Sequence, residues 1–515
     1  MASVVNTFSI SGIEGYCVQA EANTLEGQPS LTIIGMGDQA VKESGERVQS
    51  ALDACGYEFP KKRVIINLAP GDKKKSGSHF DLPMAMGLLL QTDSIQAKDI
   101  DQYGFIGELS LNADLRPVPG ILPMVMAAKA AGLKKIVVPA RNAEEARLVK
   151  GIEIYGLDNL RQAVEVVEGK ASAGIVRPGL SGKPAETTMD ELDFADVKGQ
   201  EEVINAIVLA AAGGHNILMI GTPGCGKTMI AQRIPSILPK MSEEDQLEVT
   251  KIHRIAGLLE KDGSLITSHP FRAPHHNVSL NALIGGGVNA MPGEVSLAHN
   301  GVLFLDELTE YSKHTLDALR QPIEDKKVTI ARVNGTHTFP SNFMLVAAMN
   351  PCPCGYYPDR RCRCTDYEII KYRSKISGPI MDRIDIQKEV KPVGYFDIGS
   401  QDRSRSSAQL RERVRYAREI QQRRYKGIPG VNCNAQMTNE LIRQYCELDD
   451  SSVKILKETC ERYGYSARVI HKLLKVARTA ADLDGAEKIR LQDIETAIGC
   501  RDLDRSSGNM LAIRE

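Results

Sequence analysis

The chain has 515 residues, with 64 Lys and Arg against 65 Asp and Glu, so its net charge of about −1 offers no global attraction to polyanions; a nucleic-acid partner has to be held by local patches. Its 42% hydrophobic and 25% charged residues are those of an ordinary globular protein of about three domains, and no apolar run reaches the roughly 18 residues of a membrane span. The N-terminus, Met1-Ala-Ser-Val-Val-Asn6, lacks the basic region and long apolar core of a secretory signal, which points to the cytoplasm and to no membrane partner, with the 11 cysteines as reduced thiols or metal ligands.

Over residues 1–168 strand and helix patterns alternate: 64–67 and 135–139 read as strands, 82–90 and 124–131 as helices. This is an α/β or α+β domain, and it carries two basic clusters, Lys61-Lys62-Arg63 and Lys73-Lys74-Lys75. Residues 169–190 are rich in Gly, Ser, Pro and Thr without periodicity, the composition of an interdomain linker.

Residues 191–395 hold strand candidates at 216–220, 302–305 and 343–348 separated by helical patterns, which implies a parallel sheet covered on both faces. The first strand runs into Gly221-Thr222-Pro223-Gly224-Cys225-Gly226-Lys227-Thr228. Backbone N–H groups of such a glycine-rich turn converge on one concavity, where Lys227 reaches the β and γ phosphates of ATP and Thr228 ligates Mg²⁺. The strand at 302–305 delivers Asp306 and Glu307 at its C-terminal end. Beside a phosphate loop, Asp306 can hold the Mg²⁺ shell and Glu307 can polarise the attacking water, so the two segments together read as hydrolysis. Residues 328–338 read as a hairpin turning at Asn334-Gly335. Arg332 and His337, with His275 and His276, are candidate grips on the phosphates of a polyanion; the histidines serve equally well as hydrogen-bonded core or interface residues.

Cys352, Cys354, Cys362 and Cys364 form two CxC pairs within a polar loop, a set of thiolates that converges naturally on tetrahedral Zn²⁺, with Arg360, Arg361 and Arg363 to offset the charge. The alternative, buried reduced cysteines, is disfavoured by so polar a segment. Residues 396–515 are mainly helical, with Val469, Leu473 and Val476 and then Ile470, Leu474 and Ala477 at helical spacing, and read as a helical lid. The arginine-rich run 401–426 is either a solvated, salt-bridged helix face or a polyanion contact.

The order of these motifs resembles an AAA+ ATPase of the magnesium-chelatase-like branch over nearly the whole chain. Phe271-Arg-Ala-Pro-His-His276, Pro292-Gly-Glu-Val-Ser-Leu-Ala-His299 and Asn350-Pro-Cys-Pro-Cys-Gly355 resemble signatures of the ComM/YifB family. The resemblance implies ATP-driven DNA branch migration or helicase activity in natural transformation or recombination, a homo-hexameric ring, and single-stranded or branched DNA as partner. It implies Asn350 as the sensor after a core strand, Arg383 as an arginine finger reaching the neighbouring subunit, and Arg468 as a second sensor on the lid. Gly199 and Gln200 fall in the box that packs near adenine. A magnesium-chelatase-type motor subunit and a protein-remodelling or regulatory ATPase are the alternatives.

Residues 107–120 and 134–139 resemble the Lon-protease-like, ribosomal S5 domain 2-like α/β fold. A Ser/Lys peptidase needs a hydroxyl nucleophile beside a lysine base. Where Lon proteases place the serine this chain reads His79-Phe80-Asp81-Leu82-Pro83, and where they place the lysine it reads Gly120-Ile-Leu-Pro123. The implied fold is therefore multidomain: a Lon-protease-like domain without the dyad, a central P-loop AAA+ parallel sheet, and a C-terminal helical lid. The first domain is then a scaffold or a DNA-facing collar, with Lys73, Lys74, Lys75 and His79 as possible contacts or structural residues.

Overall fold

The computed structural model describes residues 2–170, 175–176, 192–259, 264–287, 290–332, 335–392 and 405–504. Most of the linker expected at 169–190, the turn residue Asn334 and the start of the basic run, with Arg403, lie outside the described residues. The packing divides the chain into two compact units, residues 1–185 with 246–266, and residues 186–245 with 267–515.

The first unit is built on an eight-stranded mixed sheet. Ser3–Ser11 and Glu14–Leu25 form an antiparallel hairpin at its centre, Arg63–Ala69 adds antiparallel to Glu14–Leu25, and Ser30–Ile34 closes that edge in parallel. On the other side Tyr103–Phe105, Lys135–Pro139 and Glu153–Leu157 pair in parallel outward from Ser3–Ser11. Period-two alternation in Arg63–Ala69 turns Val64, Ile66 and Leu68 into a core shared with the apolar helix Asp81–Gln91. Asp38 caps a second helix, Gln39–Ala54, by accepting from Val41 N at 3.0 Å. Residues 246–266, which follow the phosphate-loop segment in sequence, pack in this unit: Leu247 lies against the cluster of Phe8, Ile106 and Val125, and Lys251 Nζ pairs with Glu14 at 2.9 Å.

The second unit centres on a five-stranded sheet, all parallel, in the spatial order Phe271–Arg272, Val302–Leu305, Met344–Met349, Ile217–Gly221, Ile386–Val390. Its inner strands are buried along their whole length, as a sheet with both faces covered demands. The strands expected near 216–220, 302–305 and 343–348 are present within about one residue. The helices Ser407–Arg424, Ala467–Leu483 and Leu491–Gly499 share one apolar core with this sheet and with helix Glu201–Gly213.

A buried polar knot fixes the C-terminal helices to the N-terminal ends of the central strands. His215, fully buried just before strand Ile217–Gly221, bonds through Nδ1 to Asp385 (3.3 Å) and through Nε2 to Thr479 (2.8 Å). Burial alone would raise the Asp385 carboxyl, yet the bond from His215 and the charge of Lys472 hold it well below the usual carboxylate range. Deeper in the bundle Asp482 accepts from Arg424 (2.8 Å), Asn434 (2.8 Å) and Arg478 (3.1 Å). Among the described residues no helix is long and apolar enough to cross a membrane.

Candidate functional site

Loops leaving the C-terminal ends of the parallel strands gather the expected nucleotide residues at one end of the sheet. The loop after Ile217–Gly221 passes through Gly224 (φ 76°) and Gly226 (φ 92°), left-handed conformations that favour glycine, before helix Lys227–Arg233 begins. Gly221 is held tightly as well, since a Cβ there would lie 2.5 Å from Val390 O.

Lys227 is buried and its Nζ donates to Gly221 O (2.7 Å), Thr222 O (3.0 Å) and Asn350 Oδ1 (3.3 Å). The ammonium thus joins the phosphate loop to the side chain that ends strand Met344–Met349. Thr228 Oγ1 donates to Asp306 Oδ2 at 2.7 Å, bringing a hydroxyl and a carboxylate into the spacing that a hard divalent cation shared between them needs. Gln200 Nε2 donates to Lys391 O at 2.6 Å, so Gly199 and Gln200 lie beside the loop that leaves strand Ile386–Val390, at the same end of the sheet.

Glu307 sits at φ 50°, strained for a non-glycine residue, and its backbone N–H donates to Asp306 Oδ1 at 2.9 Å. Its carboxylate, about half exposed, meets His276 Nδ1 at 3.4 Å. His276 stands edge-on to Tyr311, whose hydroxyl donates to Pro274 O at 2.5 Å. Burial first, and the Asp306 and Glu307 charges next, push that hydroxyl far above the ordinary tyrosine range and keep it a donor. His276 is therefore engaged beside the acid pair, one of the hydrogen-bonded placements expected of it. Sequence reasoning left this placement open; it follows from the pairing of Phe271–Arg272 in parallel with Val302–Leu303, which runs the residues after it beside those that follow Leu305.

Arg383 and Arg468 are not brought to this pocket. Arg383 O accepts from Asn216 Nδ2 (2.8 Å), which precedes strand Ile217–Gly221; the length of that strand, about 16 Å at 3.3 Å per residue, separates it from the phosphate loop. The Arg383 side chain pairs with the exposed Glu324 (2.5 Å) and donates to Pro379 O (2.6 Å). Arg468, largely exposed, pairs with Asp382 at 3.5 Å, so both arginines stand together at the end of the sheet opposite their own pocket.

The four cysteine ligand atoms lie within 4.8 Å of one another. Cys352, Cys354 and Cys362 are 3.3, 3.6 and 3.7 Å apart through their sulfurs, close to the roughly 3.8 Å between thiolates bound at 2.3 Å around a tetrahedral zinc. Backbone N–H groups of Arg363 and Tyr356 pull the Cys354 thiol down to about 6, and Tyr357 N–H donates to Cys352 Sγ at 3.4 Å. The donor set fits a zinc ion. Of the arginines expected to balance it, Arg361 is bound to Asp359 instead.

The basic run resolves chiefly into a structural face. Along Ser407–Arg424, Arg411 donates to Ser236 O, Arg418 to Ala211 O, Arg415 pairs with Glu412, and Arg424 with Asp482. In the first unit Lys75 is fully buried and donates to Pro70 O, and His79 is buried against Phe80, which fits the structural role expected as the alternative; Lys73, over the Tyr16 ring, and Lys74 remain exposed. Asp81, in the segment expected where Lon proteases place the serine, is buried and held by Arg47 at 2.7 Å.

Residues 20–142 match the family model "Subunit ChlI of Mg-chelatase", 193–398 "Magnesium chelatase, subunit ChlI" and 404–501 "Magnesium chelatase, subunit ChlI C-terminal". The chain is 40% identical over 507 residues to the uncharacterized protein YifB of Escherichia coli, covering 98% of this chain and 97% of that protein. It is 38% identical over 507 residues to the competence protein ComM of Haemophilus influenzae, covering 97% of each. The N-terminal part is similar to the Lon protease of Mycolicibacterium smegmatis, 26% identical over 176 residues, 33% of this chain and 22% of that one. The chain belongs to the ComM and YifB family of magnesium-chelatase-like AAA+ proteins.

Proposed function

We propose that this protein is an ATP-hydrolysing motor that works as a homo-hexameric ring on single-stranded or branched DNA. One observation carries the reading: a complete set of groups for Mg·ATP gathers at one end of the parallel sheet, while the two arginines needed to finish catalysis stand at the other end. A ring puts the two ends face to face.

In this mechanism Lys227 turns from the carbonyls of Gly221 and Thr222 to the β and γ phosphates, which are stronger acceptors. Thr228 and Asp306 would hold Mg²⁺, which would supply positive charge to offset that of the phosphates. Glu307 orients and polarises the attacking water, and His276 sets the carboxylate's direction. Asn350, within reach of Lys227, senses the γ-phosphate without adding charge. Arg383 exchanges Glu324 for the γ-phosphate of the adjoining subunit, with Arg468 beside it; such a finger contributes about 10³ to 10⁵ in rate. The four cysteines hold one zinc ion as a structural knuckle.

DNA contact falls to the hairpin Lys327–Arg332 and Gly335–Pro340, where Arg332 is exposed, and binding through phosphates is salt-sensitive and largely independent of sequence. The setting we assign is natural transformation or recombination, and the Haemophilus relative is named a competence protein. ATP turnover measured with and without forked and single-stranded oligonucleotides tests the proposal. Stimulation by DNA is the expected result, and stimulation only by a protein substrate would overturn it.

A further inference from the structure

We infer that the cysteine knuckle is a rest for the phosphate loop, so that zinc occupancy sets how tightly the protein holds nucleotide. The inference depends on the ATPase reading of the same pocket. Gly355, inside the cysteine loop, sits at φ 83° and lies against Pro223, the third residue of the phosphate loop; a Cβ on Gly355 would come within 2.7 Å of Pro223 Cδ and 2.9 Å of its Cγ. The same imagined Cβ is 4.0 Å from Asn350 Cγ, which belongs to the amide that accepts from Lys227. One backbone turn therefore packs on the loop that would cradle phosphates and lies next to the side chain that would read them.

That turn is tied to the cysteines. Gly355 N donates to Cys352 O at 2.9 Å, Tyr357 N to Cys352 Sγ at 3.4 Å, and Cys352 is fully buried. Arg373 anchors the far side: its Nε donates to Pro351 O at 3.2 Å and its guanidinium lies 5.6 Å over the Tyr357 ring. With zinc bound, four thiolates pin the turn at the height of Pro223. Without it, nothing ties the four sulfurs to one point and the turn is free to relax, leaving Pro223 and Asn350 unsupported. The cost falls on nucleotide binding, not on the chemical groups themselves.

The test uses the full chain. Zinc content is measured by elemental analysis, and affinity by titration with a fluorescent ATP analogue, on protein as purified, stripped by chelator, and reloaded with zinc. The expected result is one zinc per chain, a loss of nucleotide affinity of about tenfold on stripping, and recovery on reloading. A second arm leaves every cysteine in place: Gly355→Ala is expected to keep its zinc yet bind nucleotide more weakly, and adding Pro223→Ala, which removes Cγ and Cδ from the clash, to restore part of the loss. Should stripping unfold the chain, seen by circular dichroism, the Gly355 arm decides. Equal affinity in stripped and loaded protein, or a Gly355→Ala variant that binds as wild type, would overturn the inference while leaving the ATPase reading intact. Wild-type protein that binds no nucleotide would overturn both.

Discussion

Glu307 and His276 illustrate how much of the chemistry depends on single contacts. A 3.4 Å pair between a half-exposed carboxylate and a half-buried imidazole adds little to stability, but it fixes where the carboxylate points. Glu307→Gln is expected to bind nucleotide normally and to lose about 10² to 10⁴ in turnover, the range for a positioned general base. His276→Ala should lower kcat by about tenfold with KM unchanged, since it removes orientation and no binding contact. A rise in KM with kcat intact would show His276 binding substrate instead. His79 supplies a test of a different kind. Burial pushes its imidazole down to about 4, below its unfolded value of about 6.5, so the unfolded chain takes up the proton first. The stability this neutral ring confers is full above pH 6.5 and falls by about 1.4 kcal/mol per pH unit toward pH 4. In urea titrations over that window His79→Phe should flatten the pH dependence; an unchanged slope would assign it to other groups.

At the scale of elements, legibility followed burial. Strands Ile217–Gly221, Val302–Leu305 and Met344–Met349 are continuous apolar runs and were visible in the sequence because both their faces are covered. Ile386–Val390 was not: its Gln387, Lys388 and Glu389 look like a surface segment, although Gln387 is fully buried and Lys388 is neutralised by Glu202 and Asp502. Phe271–Arg272 is too short to leave a pattern, and with it the placement of His276 was hidden. Helix Gln39–Ala54 was obscured by its mixed charge and by Ser44 and Gly45 on its buried face. The phosphate loop, the acid pair and the cysteines were legible because their spacing is local. The environments of Arg383 and Arg468 were not, because they depend on where helix Ala467–Leu483 docks. That docking is itself testable: Asp482→Ala leaves Arg478, 2% exposed, without its carboxylate, and should cost about 3 to 5 kcal/mol in urea denaturation. A loss below 1 kcal/mol would mean that apolar packing alone seats the helix.

For the molecule as a whole, the parallel sheet has two unlike ends. One carries Lys227, Thr228, Asp306, Glu307 and Asn350; the other carries Arg383 and Arg468, and a strand length lies between them. In the proposed ring, catalysis is therefore a property of the junction between subunits. Mixing two inactive variants tests this most directly. Lys227→Ala spoils the pocket and spares the arginines, whereas Arg383→Ala spares the pocket. Each alone should hydrolyse ATP at a rate lowered by about 10³ or more. Mixed, they form junctions that combine an intact pocket with an intact arginine, and turnover should recover to a sizeable fraction of wild type. No recovery on mixing, with Arg383→Ala alone running at the wild-type rate, would contradict a shared site.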